Sequence, residues 1–172
     1  EFYQENLDLI LKTPAAVKHH HAWAGGWADH TAQVMGISLE LFDKYNEGIK
    51  SDFTRDDIIL TAFVHDLDKL WRYRECTDPK KKERGYKWEF NNDNAPYEET
   101  SKVIAECFRH GIQLTDQHIE AINHHHGGFS SDLSSVYGHG GSMTKLSTMI
   151  HCADMLSTYL YGNMEPKQVD NS

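Results

Sequence analysis

Apolar residues recur every three or four positions through most of this chain, which is the spacing of helices that bury one face. The pattern predicts helices over 3–12, about 28–45, 54–71, 97–111, 115–124 and 142–160, followed by a polar, frayed tail over 165–172. Between them we expect an ordered loop over 14–27 and a Gly- and Ser-rich loop over 127–141. The fold class is therefore all-α, a bundle of six or seven helices with at most one small β-hairpin.

Polar residues at the ends of these segments predict where the helices begin and end. Thr54, Thr115 and Ser142 stand where N-terminal caps are expected. The turn-forming sequence Asn46-Glu47-Gly48 is expected to end the second helix.

The central helix, predicted over 54–71, carries ionisable residues that do not suit its apolar surroundings. Its apolar run leads into Val64-His65-Asp66-Leu67-Asp68-Lys69. Burying a charge without a partner costs several kcal/mol, so these groups must face a metal, one another or a water-filled site. This conflict suggests that an active site lies here.

The segment 72–96 differs in composition because it carries a dense group of cations. They are Arg72, Arg74, Lys80, Lys81, Lys82, Arg84 and Lys87. Pro79 and Gly85 are expected to break any helix, and the alternation over 86–90 is typical of a short strand. One interpretation is a solvated loop with a small hairpin, and the other is a basic flap that guides an anionic substrate.

Composition narrows the class of protein. At 172 residues the chain is expected to form one domain, 1–172, with its core over 14–160. The net charge of −9 argues against a general binder of the nucleic-acid backbone but leaves small anionic ligands open. No apolar stretch approaches the roughly 20 residues of a membrane span, and the first residues lack the features of a signal peptide. Three cysteines without a CxxC pair favour a reducing, cytoplasmic setting.

Ionisable residues recur inside three of the predicted helices, and histidine is unusually frequent. His30 lies in the second helix, His65 and Asp66 in the central one, and Asp154 in the last. Such groups can converge on one divalent cation, with Mn, Fe, Co, Ni, Zn or Mg all compatible with nitrogen and oxygen ligands. Taken singly, each residue has an ordinary explanation as a satisfied core or surface group. Lys69, one turn beyond His65, would share its face and is suited to pairing with a phosphate.

These residues resemble the signature of the HD-domain metal-dependent phosphohydrolases, and the resemblance spans roughly 14–160. The pattern His30…His65-Asp66…Asp154 is similar to the family's H…HD…D, and 65–69 is similar to HD-x-G-K with Asp68 in place of Gly. The stretch 14–31, PAAVKHHHAWAGGWADHT, resembles the "PAAxxxHHAxxGGLxxHT" segment of HD domains similar to those of bacterial 3′–5′ exoribonucleases. Further similar segments are His125-His126-Gly127 and Ala153-Asp154-Met155-Leu156.

The resemblance implies a ligand set of one or two metals. The first would be held by His30, His65, Asp66 and Asp154. A second would use His125 and His126, with His124 competing for either place. The family has a further histidine near the start of the helix at 97, where this chain has Tyr97-Glu98-Glu99. Either a glutamate substitutes for it, or the second metal is weak or absent.

The resemblance also implies roles in hydrolysis, with a metal-activated water as the nucleophile. Asp66 would orient this water and Lys69 would neutralise charge on the phosphoryl oxygens. His125 or His126, if not a ligand, would protonate the leaving oxygen. In the loop before His30, the residues His20, His21 and Trp23 are candidates for lining the substrate pocket. Trp23 would then stack on a base or, alternatively, act as a packing plug.

The function expected from these residues is hydrolysis of phosphate esters in a small anionic nucleotide. The reaction would be that of a phosphomonoesterase or of a phosphodiesterase acting on short oligonucleotides or cyclic nucleotides. One alternative is a 3′–5′ exonuclease that holds single-stranded nucleic acid with the basic flap. Another is a catalytically silent regulatory module that binds metal and nucleotide.

Overall fold

Helices form most of the protein in the computed structural model, which describes residues 2–93, 98–127 and 143–166. Along the chain the helices are α1 (Phe2–Lys12), α2 (Gly26–Ile49), α3 (Arg55–Val64), α4 (Lys69–Arg72), α5 (Pro79–Glu83), α6 (Glu99–Arg109), α7 (Asp116–His124) and α8 (Lys145–Leu156). A π-helical turn, Ser157–Tyr161, continues α8. Strands β1 (Tyr73–Glu75) and β2 (Trp88–Phe90) pair antiparallel, with Arg74 opposite Glu89.

This architecture confirms the predicted all-α bundle with one small hairpin. Within the described ranges, α1, α2, α3, α6, α7 and α8 have nine residues or more, whereas α4 and α5 are short. None of the helices in these ranges combines the length and the apolar character that crossing a membrane requires.

Two buried apolar clusters hold the helices together around the ionisable segment 65–69. The first joins α2, α3, α7 and α8 through residues such as Val34, Ala62 and Ile150. The second joins α2 to the end of α3 and to α6 through residues such as Trp27 and Val103. Because α2 and α3 contribute to both clusters, the polar side chains between these anchor points have fixed positions.

The central helix is broken at the ionisable residues, so the prediction of one helix over 54–71 was wrong. The α-helix α3 ends at Val64, and the backbone then tightens, with the amide of Leu67 donating to the carbonyl of Val64 (3.1 Å) and that of Lys69 to Asp66 (3.2 Å). Bonds over three residues give about 3.0 residues per turn. Leu67 and Leu70 then both belong to the second apolar cluster, and Asp66 and Lys69 pair with each other. The apolar spacing fits both geometries, which is why it did not reveal the break.

The end of α2 and the presence of α5 also differ from their predictions. Helix α2 continues past Asn46 to Ile49, where Ile49 packs against the first cluster and Lys50 ends the helix in a left-handed conformation. Pro79 begins α5 instead of preventing it, because a proline at the first helical position loses no hydrogen bond. The side chain of Asp78 caps this short helix by accepting from the amide of Lys80.

The predicted caps at Thr54 and Thr115 are confirmed, and each forms a capping box with the third residue of its helix. The last helix begins at Lys145 and is capped by Thr144, so the cap predicted at Ser142 was misplaced. Tyr97, most of the predicted loop over 127–141 and the end of the tail lie outside the described residues.

Candidate metal centre

Four ionisable side chains from three separate segments meet in the interior. His30 on α2 places its Nε2 atom 3.1 Å from Asp154 Oδ1 on α8 and 3.4 Å from Asp66 Oδ2. His65 Nε2 lies 3.4 Å from the same oxygen of Asp66. Both imidazoles are fully buried, and Asp66 is 1% exposed. The structure therefore brings together the H…HD…D residues singled out in the sequence.

The backbone at Asp66 is anchored to α2. The indole Nε1 of Trp27 donates to the carbonyl oxygen of Asp66 at 2.8 Å, and Trp27 is 2% exposed. Trp27 precedes His30 by about one turn on α2. The same helix therefore carries His30 and also fixes the position of Asp66, which faces His30.

Two histidines take their orientation from the ends of helices. His65 follows α3 and His125 follows α7, where the last carbonyls of a helix lack a helical partner. The Nδ1 atom of His65 lies 2.7 Å from the carbonyl oxygen of Ala62, and that of His125 lies 2.6 Å from Ile122. A carbonyl only accepts, so Nδ1 carries the proton in each ring. In the neutral rings, both Nε2 atoms then present a lone pair to the site.

His30 reaches the same tautomer through a relay of two side chains. Ser157, in the π-helical turn, donates its hydroxyl proton to Gln33 Oε1 at 3.0 Å, since an amide oxygen only accepts. The hydroxyl oxygen of Ser157 then accepts from His30 Nδ1, which is 3.0 Å away. The Nε2 atom of neutral His30 is thereby left bare and faces Asp66. Such outer hydrogen bonds are typical of metal-binding histidines.

The atoms that meet at this point have no hydrogen-bond partner among the described residues. They are the Nε2 atoms of His30, His65 and His125, and Oδ1 of Asp66. A buried polar atom left unpaired costs about 1–3 kcal/mol, so a cluster of four requires another explanation. Lone pairs from imidazole, directed at the two oxygens of one carboxylate, form the donor set of divalent cations.

A second cluster lies on the other side of Asp66. Its Oδ1 atom is 3.5 Å from His125 Nε2, which is 3.6 Å from Glu99 Oε1. His126 Nε2 lies 3.0 Å from the same oxygen of Glu99. Ligand atoms of Asp66, Glu99, His125 and His126 fall within 4.8 Å of one another, as do those of His30, His65 and Asp66. Asp66 thus faces one cluster with each oxygen.

Lys69 and the carboxylates determine the charge of the site. Lys69 Nζ is 2.5 Å from Asp66 Oδ2, and both side chains are buried. Burial alone would raise the pKa of Asp66, but Lys69 and then His65 hold it well below its usual range. Burial would lower the pKa of His30, but Asp154 and Asp66 raise it. When no cation is bound, a proton on His30 therefore supplies part of the positive charge that a cation would bring to these carboxylates.

A cavity of about 250 Å³ opens beside both clusters. Its lining consists of His20, Lys69, His126, His151, Asp154, Met155, Thr158 and Tyr159. His151 Nδ1 lies 2.6 Å from the carbonyl oxygen of His125, which fixes this ring as well. Burial, and then Lys69, lower the pKa of His20 to about 3, so this imidazole is neutral at neutral pH.

Of the loop residues predicted to line the substrate pocket, only His20 lies at the cavity. His20 lines the cavity, whereas His21 is fully buried and its Nε2 donates to Gln33 Oε1 at 2.9 Å. Trp23 is buried and donates to Asp29 Oδ2 at 2.7 Å, which favours its interpretation as a packing plug. His124 lies 2.8 Å from Glu120 on its own helix and is absent from both clusters.

Sequence reasoning missed several residues around the site. Gln33, His151, Ser157 and Tyr159 carry no signal of their own, because hydroxyl, amide and aromatic residues are common in helices. Glu99 was weighed only as a replacement for a missing histidine. Asp68 is buried, with Oδ2 2.5 Å from Arg72 Nε, so it points away from the cavity and into an ion pair.

Comparison with known proteins gives partial matches. The dihydroneopterin 2′,3′-cyclic phosphate phosphodiesterase of Methanocaldococcus jannaschii is 34% identical over 64 residues, which are 37% of this chain and 26% of that protein. The 3′–5′ exoribonuclease YhaM of Oceanobacillus iheyensis is 37% identical over 68 residues, or 40% of this chain and 19% of that protein. No protein-family model matches the chain, and no solved structure matches it significantly.

The chain therefore spans about a quarter or less of the curated relatives that it matches. Over these partial stretches, the two relatives support the resemblance to HD-domain metal-dependent phosphohydrolases.

Proposed function

We propose that this chain is a divalent-metal-dependent hydrolase of phosphate esters in nucleotides. The observation that carries the proposal is the convergence of three bare Nε2 atoms on the two oxygens of Asp66, next to a cavity that Lys69 lines. A bound divalent cation supplies an acidified water molecule and positive charge for phosphoryl oxygens.

The donor atoms support two ion positions that share Asp66. His30, His65, Asp66 and Asp154 would hold the first ion. Asp66, Glu99, His125 and His126 would hold the second, with Glu99 in the role for which the family uses a histidine. The burial of the first set supports tighter binding there, because Glu99 and His126 are more exposed than His30 and His65.

Side chains of the cavity would bind the phosphate and move protons. Lys69 reaches both Asp66 and the cavity, so its ammonium group is placed to neutralise a phosphoryl oxygen. If His125 and His126 are ligands, another group must protonate the leaving oxygen. His151 lines the cavity outside both clusters, with its Nδ1 proton committed to a carbonyl, and its Nε2 atom is the candidate for this transfer.

The names of the relatives support phosphodiesters as substrates. One is a phosphodiesterase for a 2′,3′-cyclic phosphate, and the other is an exoribonuclease. The cavity of about 250 Å³ lies slightly below the usual range of ligand pockets, which is about 300–1,000 Å³. It suits the phosphate and sugar of one nucleotide, so cyclic nucleotides and the end of a short oligonucleotide are the proposed substrate class.

The test is a panel of nucleotides, 2′,3′-cyclic nucleotides and short oligonucleotides with Mn²⁺, Co²⁺ or Ni²⁺, with products separated by chromatography. Turnover that is lost on chelation and in Asp154→Asn supports the proposal. The control is Asp57→Asn, which alters a helix cap far from the cluster. Metal binding without any product would favour the silent regulatory module instead.

The exonuclease alternative rests on the basic segment 72–87. Part of its charge is used internally, since Arg74 and Lys81 both pair with Glu89. Lys80 and Lys82 are exposed and remain suited to a nucleic-acid backbone. If this segment holds single-stranded nucleic acid, neutralising Lys80, Lys81 and Lys82 would abolish turnover of oligonucleotides but spare turnover of cyclic nucleotides. If the variant with all three lysines neutralised still turned over oligonucleotides and cyclic nucleotides as the wild type does, the exonuclease alternative would be excluded.

A further inference from the structure

Two exposed side chains form the outer edge of the cavity. Tyr159 is 77% exposed and Met155 is 44% exposed, yet both line the cavity together with Asp154. Met155 adjoins Asp154 in the chain, and Tyr159 lies four residues further on. An aromatic ring with a thioether beside it thus stands at the mouth, close to the proposed ligand Asp154.

The π-helical turn ties the ring of Tyr159 to the metal centre. Ser157 of this turn is fully buried and fixes His30, whereas Tyr159, two residues later, lies at the cavity. Turns of this kind are rare in proteins, and those that occur often lie at functional sites. Displacing the turn would move both the support of His30 and the ring, so their spacing is fixed by one short segment.

We propose that Tyr159 and Met155 form a platform on which the planar heterocycle of the substrate stacks, with its phosphoryl group directed at Lys69. This inference rests on the proposed function and assigns the part of the substrate that the metal centre does not contact. Aromatic faces bind nucleobases by stacking, and a methionine sulfur adapts to ring edges. The cavity holds about 250 Å³, so the heterocycle remains at the mouth, where both side chains are exposed.

Binding measurements test the platform without relying on turnover. The probes are the phosphonate analogues of AMP and ribose 5-phosphate, in which a methylene group replaces the ester oxygen. Isothermal titration calorimetry with Mn²⁺ compares the wild type with Tyr159→Ala, Tyr159→Phe and the control Tyr161→Ala. Tyr161 belongs to the same turn and is 40% exposed but does not line the cavity.

The platform predicts a selective loss of affinity. Tyr159→Ala should weaken binding of the AMP analogue about 5- to 100-fold and leave the ribose phosphonate unchanged, because stacking involves only the base. Tyr159→Phe and Tyr161→Ala should bind both probes as the wild type does. Melting temperatures should agree among all four proteins, since both tyrosines are at least partly exposed.

Other outcomes overturn the inference. If the wild type binds the AMP analogue no more tightly than the ribose phosphonate, the protein has no subsite for the base. Equal losses for both probes in Tyr159→Ala indicate a structural role for the ring. If Tyr159→Ala changes only the oligomeric state in analytical ultracentrifugation, the exposed turn is a contact between copies. Selective base binding in a protein without turnover would keep the platform and remove the proposed activity.

Discussion

Arg72 connects Asp68 to Glu99 across the edge of the candidate metal centre. Its Nε atom lies 2.5 Å from Asp68 Oδ2, and its Nη1 atom lies 3.3 Å from Glu99 Oε2. The other oxygen of Glu99 faces His125 and His126. One guanidinium group therefore links Asp68, which stands where the HD-type pattern has Gly, to Glu99, which belongs to the stretch 97–99 where that pattern has a histidine.

This link predicts that Arg72→Ala weakens the second ion position. Without Arg72, Glu99 loses the partner that holds its Oε2, and Asp68 is left as a buried carboxyl group without its cation. We expect metal content measured by inductively coupled plasma mass spectrometry to fall from two ions per chain towards one. Arg74→Ala, which removes an ion pair of the hairpin, is the matched control. Unchanged content in Arg72→Ala would show that Glu99 needs no such support.

Asp66→Ala should remove metal and turnover together, because both proposed ion positions share this carboxylate. It also leaves Lys69 buried without its ion-pair partner, which costs about 3–5 kcal/mol. Asp66→Asn retains the shape of the side chain and separates the two effects. The measurements are metal content, turnover and the free energy of unfolding. A metal-free variant that still turns over substrate would refute the proposed centre.

Ser157→Ala tests the relay that orients His30. The imidazole loses the acceptor of its Nδ1 proton, and we expect metal affinity to fall about 10- to 100-fold. Ser147→Ala is the control, since Ser147 is also buried on the same helical segment but its hydroxyl has no partner among the described residues. Competition with a chromogenic chelator measures both affinities. Equal affinities in the two variants would contradict the relay.

Asp68 makes the stability of the metal-free protein depend on pH. Burial, and then the charge of Glu99, raise the pKa of Asp68 to about 7, although Arg72 opposes them. The unfolded chain releases this proton near pH 4. Stability from Asp68 is therefore fully present below about pH 4 and is lost as the pH rises towards 7. Asp68→Asn should lack this component, so the difference in unfolding free energy between variant and wild type should change over that range and level off above it.

His151→Gln should lower turnover in proportion to how poor the leaving group is. A leaving oxygen of high pKa needs a proton in the transition state, whereas p-nitrophenolate does not, and general acid catalysis contributes about 10²–10⁴-fold. We expect a large loss with a cyclic nucleotide and a small one with a p-nitrophenyl ester. Equal losses would assign His151 a role in packing against Gly127, where a Cβ atom would lie 2.4 Å from its ring.

The part of this site that the sequence could reveal consists of residues in conflict with their surroundings. His30, His65, Asp66 and Asp154 are ionisable groups inside apolar helices, and that conflict is visible in one dimension. Glu99 stands in the first turn of α6, where acids are common for reasons of helix capping, so its position there carries no functional signal. Only the packing of α6 against α7 brings it to His126.

Local geometry was harder to predict than the location of the helices. The tightened turn at His65 preserves the burial of Leu67 and Leu70, so the apolar pattern is the same with or without it. The start of α5 at Pro79 depends on whether proline stands at the first helical position or inside the helix, and composition does not distinguish the two.

His30, Asp66 and Asp154 come from parts of the chain that are far apart in sequence, and a cation held between them would act as a crosslink. Binding to the folded chain alone would add RT ln(1 + [metal]/Kd) to the free energy of unfolding. The melting temperature would then report the free metal concentration. In a cell poor in the right ion, this protein would be less stable and would also lack the proposed chemistry.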